Sequence, residues 1–323
     1  MSRVLGDSIL GKSDALSGRN LLSIKDLSKS QVEAIIKESE LMLEAMKKHA
    51  KLSYLQNMIL ATLFFEPSTR TRLSFESAMQ RLGGGVIGFA DASTTSSTKG
   101  ESLADTMEVV STYADAIVIR HPNIGSAEVA AAHSRVPVIN AGDGAGQHPT
   151  QALLDLFTIK VEKKKIKGLN VAIIGDLKNA RTSKSLAYIL AMFGNDLTLI
   201  GPKSLQMQKD TADELKEKYA INVKTSESLD AALDSDVIYI PRIQKERFAD
   251  PEEYKKYAAN YYTIDKKFIE KSRHDPIIMS PLPRITEISH EIDGMKNSVY
   301  FKQASYGVPV RMAVLKMILY GQK

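Results

Sequence analysis

Ser68, Thr69, Arg70 and Thr71 stand together between an apolar run at residues 59–65 and a stretch whose Leu73, Phe75, Ala78, Met79 and Leu82 recur at helical spacing. On its own, a Ser-Thr-Arg triplet reads as a helix cap with a solvated arginine. Between a strand and an amphipathic helix it reads as an anion site. Ser68 is expected to cap the helix, and its exposed backbone N–H groups and positive end attract negative charge. The hydroxyls of Ser68, Thr69 and Thr71 add short donors. Arg70 adds a forked, permanently charged donor matched to phosphate. No Gly-x-x-x-x-Gly-Lys-Ser/Thr loop is present, which argues against a nucleotide-hydrolysing phosphate loop. Gly142-x-Gly144-x-Gly146 lacks the dinucleotide spacing and is expected to be plain loop. The absence of cysteine removes thiolate nucleophiles, disulfides and cysteine-ligated zinc. His49, His133, His274 and His290 show no metal-ligand spacing, so no metal and no cofactor are expected.

Positioning such groups requires a regular frame, and the sequence alternates short apolar runs with helix-period segments. Strands are expected at 59–65, 86–89, 116–119, 136–139, 171–174, 197–200, 237–240 and 277–279. Helices are expected around Leu103, Met107 and Val110, in a short Ala-rich segment before residue 136, over residues 149–160, around Leu186 to Phe193 ending at Gly194, and over 310–319. The pattern restarts after the helix at 149–160. The fold class is therefore α/β, with two doubly wound domains, each a parallel sheet covered by helices. We place one domain at 1–149 plus 306–323, with the C-terminal helix returning to it, and the other at 150–305.

In open parallel sheets, ligands sit beyond the carboxyl ends of the strands. Arg70, Arg120, His148, Gln151, Arg181, Arg242 and Gln244 all follow predicted strands, as does the Ser280-Pro281-Leu282-Pro283-Arg284 turn. That concentration of cations predicts a strongly anionic small ligand.

The segment FFEPSTRTRLSFE resembles the carbamoyl phosphate signature of the aspartate and ornithine carbamoyltransferases. GDGAGQHPTQALLDLF, GDLKNARTSKSL, IPRIQKER and SPLPR resemble the aspartate enzymes' catalytic chain in the same order, over residues 21–319. Ornithine enzymes carry a His-Cys-Leu-Pro turn where this chain has Ser280-Pro281-Leu282-Pro283. The resemblance implies transfer of a carbamoyl group from carbamoyl phosphate to L-aspartate, a step of pyrimidine biosynthesis. It implies that Ser68, Thr69, Arg70, Thr71 and Arg120 hold carbamoyl phosphate. Thr71, Arg120 and His148 would face its carbonyl oxygen and Gln151 its amino group, while the backbone carbonyls of Leu282 and Pro283 would orient substrate. Arg181, Arg242 and Gln244 would hold the carboxylates of aspartate, with Leu282 also orienting it. A loop from a neighbouring subunit would supply Lys99 and a hydroxyl from Thr95 or Ser96, so a homotrimer is implied. The resemblance leaves open whether regulatory chains join it. Relatives carry His before the Pro-Leu-Pro turn and a second lysine in the loop, where this chain has Ser280 and Thr98. Hinges are expected near 146–150 and 303–307.

Composition fits this reading and excludes others. At 43% hydrophobic and 25% charged, the chain is expected to be globular. The net charge of +5 is mild and spread along the sequence, so no nucleic-acid partner is expected. The lysines at 163–167 read as a solvated linker. No run reaches membrane-spanning length, and MSRVLGDSIL lacks a basic start followed by an apolar core. A cytoplasmic location is expected.

Overall fold

Strands that are apolar on both faces can be satisfied only inside a parallel sheet covered on both sides, and the computed structural model has two such sheets. It describes residues 16–244, 250, 252, 254, 255 and 262–320; Lys245, Glu246 and Arg247 of the IPRIQKER segment, and the ends of the expected first domain, lie outside them. The first sheet runs β2-β1-β3-β4, from β1 (Ile59–Phe64), β2 (Gly85–Phe89), β3 (Ala116–His121) and β4 (Val138–Asp143). The second runs β7-β6-β5-β8-β9, from β5 (Asn170–Ile174), β6 (Asp196–Ile200), β7 (Val223–Ser226), β8 (Val237–Tyr239) and β9 (Ile277–Met279). Every strand pair is parallel. The expected α/β class with two sheets is thus observed.

The crossovers are α2 (Thr69–Arg81), α3 (Leu103–Val110) and α4 (Ser126–Ala132) in the first half, and α6 (Arg181–Met192), α7 (Lys209–Tyr219) and α8 (Lys266–Lys271) in the second. Between the sheets runs α5 (Pro149–Lys163), whose residues from Pro149 to Ile159 are all buried. It packs on β4, α6 and the C-terminal helix α9 (Tyr300–Leu319). One apolar cluster extends from Leu16 through α5 to Leu319, so the two sheets share a continuous core. Each large aliphatic of α9 buried there, such as Leu315 or Ile318, contributes about 1.5–3 kcal/mol.

Four elements differ from expectation. The 19-residue helix α1 (Lys29–Lys47) was not among the expected elements, although Ser28 and Gln31 form a reciprocal capping box and Val32, Ile35, Ile36 and Met42 make a buried stripe. β7 carries no apolar run because it is an edge strand with polar residues along its exposed side. β4 starts at Val138 rather than 136, because Pro137 has no N–H to give a ladder, and it runs on through Gly142. α9 begins ten residues before the expected 310, so the hinge expected at 303–307 falls inside an unbroken helix. A Cβ on Gly307 would meet Arg311 Nη1 at 2.3 Å, so that guanidinium would have to shift.

Candidate active site

Strand order locates the site. In the first sheet β1 lies between β2 and β3, and in the second β5 lies between β6 and β8. Chain direction across each sheet reverses there, and crevices open at the carboxyl ends of the strands. Ser68–Thr71 follow β1, and Arg120 lies at the carboxyl end of β3. Arg181 follows β5, and Arg242 and Gln244 follow β8. They line one cavity of about 670 Å³ together with His148, Gln151 and residues 280–283.

Three helices start at this cavity: α2 at Thr69, α5 at Pro149 and α6 at Arg181. None has a side-chain cap hydrogen bond. Ser68 occupies the expected cap position of α2 without capping it, so the first N–H groups of that helix face the cavity beside its hydroxyl. The partial positive ends of three helices add to the arginines.

Among the described residues, the lining holds five arginines (70, 120, 181, 242 and 311) against one carboxylate, Glu66. Glu66 Oε2 lies 3.5 Å from Arg120 Nε and 3.2 Å from Arg181 Nη1, joining an arginine of the first sheet to one of the second. Arg181 is only 3% exposed, and its Nη1 donates to the Gly144 carbonyl at 2.6 Å. Arg242 Nη1 donates to the Ile243 carbonyl at 3.1 Å. His148 is tied to α6, its backbone N–H donating to Ser185 Oγ at 3.0 Å while that hydroxyl donates to Gln147 Oε1 at 2.8 Å.

The electrostatics follow from this crowding. Burial, and then the Arg242 charge, hold the Arg70 guanidinium below its usual value. Burial, and then Arg181, Arg120 and Arg311, hold His148 well below the usual imidazole value, so the ring is neutral with a single N–H to donate. Arg311, buried on α9 with its guanidinium 4.9 Å above the Phe75 ring, is pushed down to about 9 by burial. An anionic ligand relieves all three.

Every residue expected to hold substrate from within one chain lines this cavity: Ser68, Thr69, Arg70, Thr71, Arg120, His148, Gln151, Arg181, Arg242, Gln244, Leu282 and Pro283. Thr95, Ser96 and Lys99 do not line it. They lie in the exposed segment between β2 and α3, where Lys99 ends a 3₁₀ turn. Arg284 pairs with Asp293 and Arg72 with Glu76, both outside the lining. Sequence reasoning gave no role to Glu66, Thr182 or Arg311, and placed Gln303 only at a hinge. An arginine inside the apolar helix at 310–319 was the one available signal for the last. It also passed over the glycines. A Cβ on Gly142 would meet Arg181 Nε at 2.7 Å, and one on Gly146 would meet the Asp143 carboxylate at 2.6 Å. The expected plain loop is therefore a cradle for Arg181.

The family model for the aspartate/ornithine carbamoyltransferase carbamoyl-P binding domain matches residues 19–162, and the one for the Asp/Orn binding domain of the same enzymes matches 167–318. The chain belongs to the aspartate/ornithine carbamoyltransferase family. Among its relatives, the aspartate carbamoyltransferase catalytic subunit of Thermococcus gammatolerans is 50% identical over 304 residues, covering 94% of this chain and 98% of the relative. The corresponding subunit of Methanocaldococcus jannaschii is 49% identical over 305 residues, covering 93% and 98%. The fold is similar to the Trypanosoma cruzi aspartate transcarbamoylase in complex with carbamoyl phosphate and aspartate, with a TM-score of 0.90 at 38% identity over 94% of this chain and 98% of that one. In carbamoyltransferase terms, the first sheet lies in the carbamoyl phosphate half and the second in the amino-acid half. The cavity draws its walls from both.

Proposed function

We propose that this protein transfers the carbamoyl group of carbamoyl phosphate to the amine of L-aspartate, releasing N-carbamoyl-L-aspartate and phosphate. The observation that carries the reading is the pairing across one cavity of two cationic sets. Arg70, Thr71 and Arg120 sit at the end of the first sheet, and Arg181, Arg242 and Gln244 at the end of the second. A phosphate and a dicarboxylate fit these sets, whereas the cationic side chain of ornithine would face arginines.

Ser68, Thr69, Arg70, Thr71 and Arg120 bind the phosphoryl group on the α2 end. The aspartate amine attacks the carbamoyl carbon, the C–O bond to phosphate breaks, and the amine proton leaves with the phosphate. Negative charge builds on the carbonyl oxygen in between, where Thr71, Arg120 and the neutral His148 donate to it. Holding both substrates side by side supplies proximity. The intermediate is tetrahedral at the carbamoyl carbon, and no covalent bond to the enzyme is formed. Lys99, with Thr95 or Ser96, reaches the cavity of a neighbouring copy in a homotrimer. The halves are residues 1–149 with 306–323, and 150–305. The site of action is the cytoplasm, in pyrimidine biosynthesis. The absence, among the described residues, of any helix long and apolar enough to cross a membrane fits that location.

Phosphate release from carbamoyl phosphate, measured with aspartate, ornithine or no acceptor, tests this. Release is expected with aspartate alone. Release with ornithine alone would overturn the roles of Arg181 and Arg242. No release with any acceptor would leave an anion-binding scaffold.

A further inference from the structure

The cavity is rich in donors: arginines, helix N–H groups, hydroxyls and one imidazole N–H. The amino group of a carbamoyl substrate is itself a donor and needs acceptors. Gln151 lines the cavity, but a carboxamide can present either its oxygen or its NH₂. What lies behind it decides. Gln151 Nε2 donates to Asp155 Oδ1 at 2.9 Å, one turn along α5. With the nitrogen engaged there, Oε1 is the atom left for a ligand. The flipped amide would set two oxygens against each other.

Asp155 is fully buried, and the same Oδ1 accepts a second bond, from Gln303 Nε2 on α9, at 2.7 Å. Gln303 Oε1 in turn accepts the Ser280 backbone N–H at 2.8 Å, at the head of the Pro281–Pro283 turn that lines the cavity. Ser280 and Gln303 are each 1% exposed. One carboxylate oxygen thus orders two elements that line the cavity, Gln151 and the turn after Ser280. The other groups facing Asp155 are Arg311 of α9 and Tyr239 of β8.

We propose that Asp155 is a positioning residue that, by accepting from Gln151 directly and from Gln303, sets the Gln151 carboxamide and the 281–283 turn to receive the substrate's amino group, and so selects carbamoyl phosphate over phosphates without one. It rests on the proposed reaction, and touches substrate only through Gln151 and the turn.

Acetyl phosphate, which carries methyl in place of the amino group, reads this out. The KM for carbamoyl phosphate and the inhibition constants of acetyl phosphate and inorganic phosphate are measured with saturating aspartate for the wild type and Asp155→Leu. Removing the order behind one hydrogen bond is expected to weaken carbamoyl phosphate about tenfold while the two other phosphates change less than about twofold. A parallel loss for all three would mean a merely structural role and overturn the inference, as would no change. Should Asp155→Leu fail to fold, Asp155→Asn carries the test. It keeps the Oδ1 acceptor but not its charge, so both bonds weaken without a cavity, and the same selective loss is expected at about threefold. Failure of the wild type to turn over carbamoyl phosphate with aspartate would strike the proposed reaction instead, which separates the two failures.

Discussion

Near-complete burial, and then three arginines, disfavour protonation of His148, as the neutral donor proposed for it requires. The unfolded chain takes that proton near pH 6.5, and the folded chain resists it until well below. Its stabilising contribution is therefore present above about pH 6.5 and is lost as pH falls through the depressed folded value. Histidine-labelled protein, with the signal assigned through His148→Gln, is expected to show no titration of this ring by NMR between about pH 8 and pH 6. A midpoint near the ordinary value would mean a ring open to water, and would remove the argument for a neutral donor. Asp155 illustrates the opposite sign. Burial pushes its carboxyl up to about 7, against the lowering effect of Gln303, Gln151, Tyr239 and Arg311. Acidification below that value protonates it, so the KM for carbamoyl phosphate is expected to rise from about pH 8 to pH 6 in the wild type more steeply than in Asp155→Leu. Steady-state kinetics on the two proteins checks this, and identical slopes would contradict it.

Between strand and helix, the Gly142–Gly146 segment turns a backbone into part of a binding site. Gly142 has φ +114°, a region open to glycine, and no room for a Cβ beside the Arg181 guanidinium. Gly142→Ala is expected to push Arg181 off its Gly144 carbonyl and raise the KM for aspartate about tenfold, with the KM for carbamoyl phosphate changed far less, while backbone strain of about 1–3 kcal/mol lowers the thermal midpoint. Equal loss for both substrates would mean the substitution disturbs the whole cavity rather than Arg181. α2, α5 and α6 serve the site because they begin where the preceding strands end at the cavity, and their uncapped first turns leave N–H groups for a ligand.

In the whole molecule, the loop with Thr95, Ser96 and Lys99 sits outside its own cavity, in keeping with a site completed by a neighbour. Arg70→Ala and Lys99→Ala are each expected to lower activity by about 10²–10³-fold, as removal of a charge-stabilising donor does. Mixing the two variants after dissociation and reassembly is expected to restore activity, because some mixed sites combine an intact pocket with an intact loop. Failure of the mixture to recover, with oligomers confirmed by light scattering, would place Lys99 in its own subunit's chemistry or in none.

The sequence by itself determined the parallel α/β class, the position of most strands and the cationic residues near their carboxyl ends. Apolar runs and helical spacing are local signals, and the anion motif at Ser68–Thr71 is contiguous. It did not determine β7 or the start of α9. β7 lacks an apolar run because it lies at an edge, and α9 keeps Gly307 and Pro309 inside a helix because its packing outweighs their propensity. Nor did it determine the work of Glu66, Asp155, Gln303 and Arg311. A carboxylate that joins two sheets, or one that orients a glutamine from behind, acquires that role only when distant segments bring partners to it and exclude water. That is decided by the packing of α5 between the two sheets and of α9 on α1, α2 and α5, and no spacing along the chain encodes it.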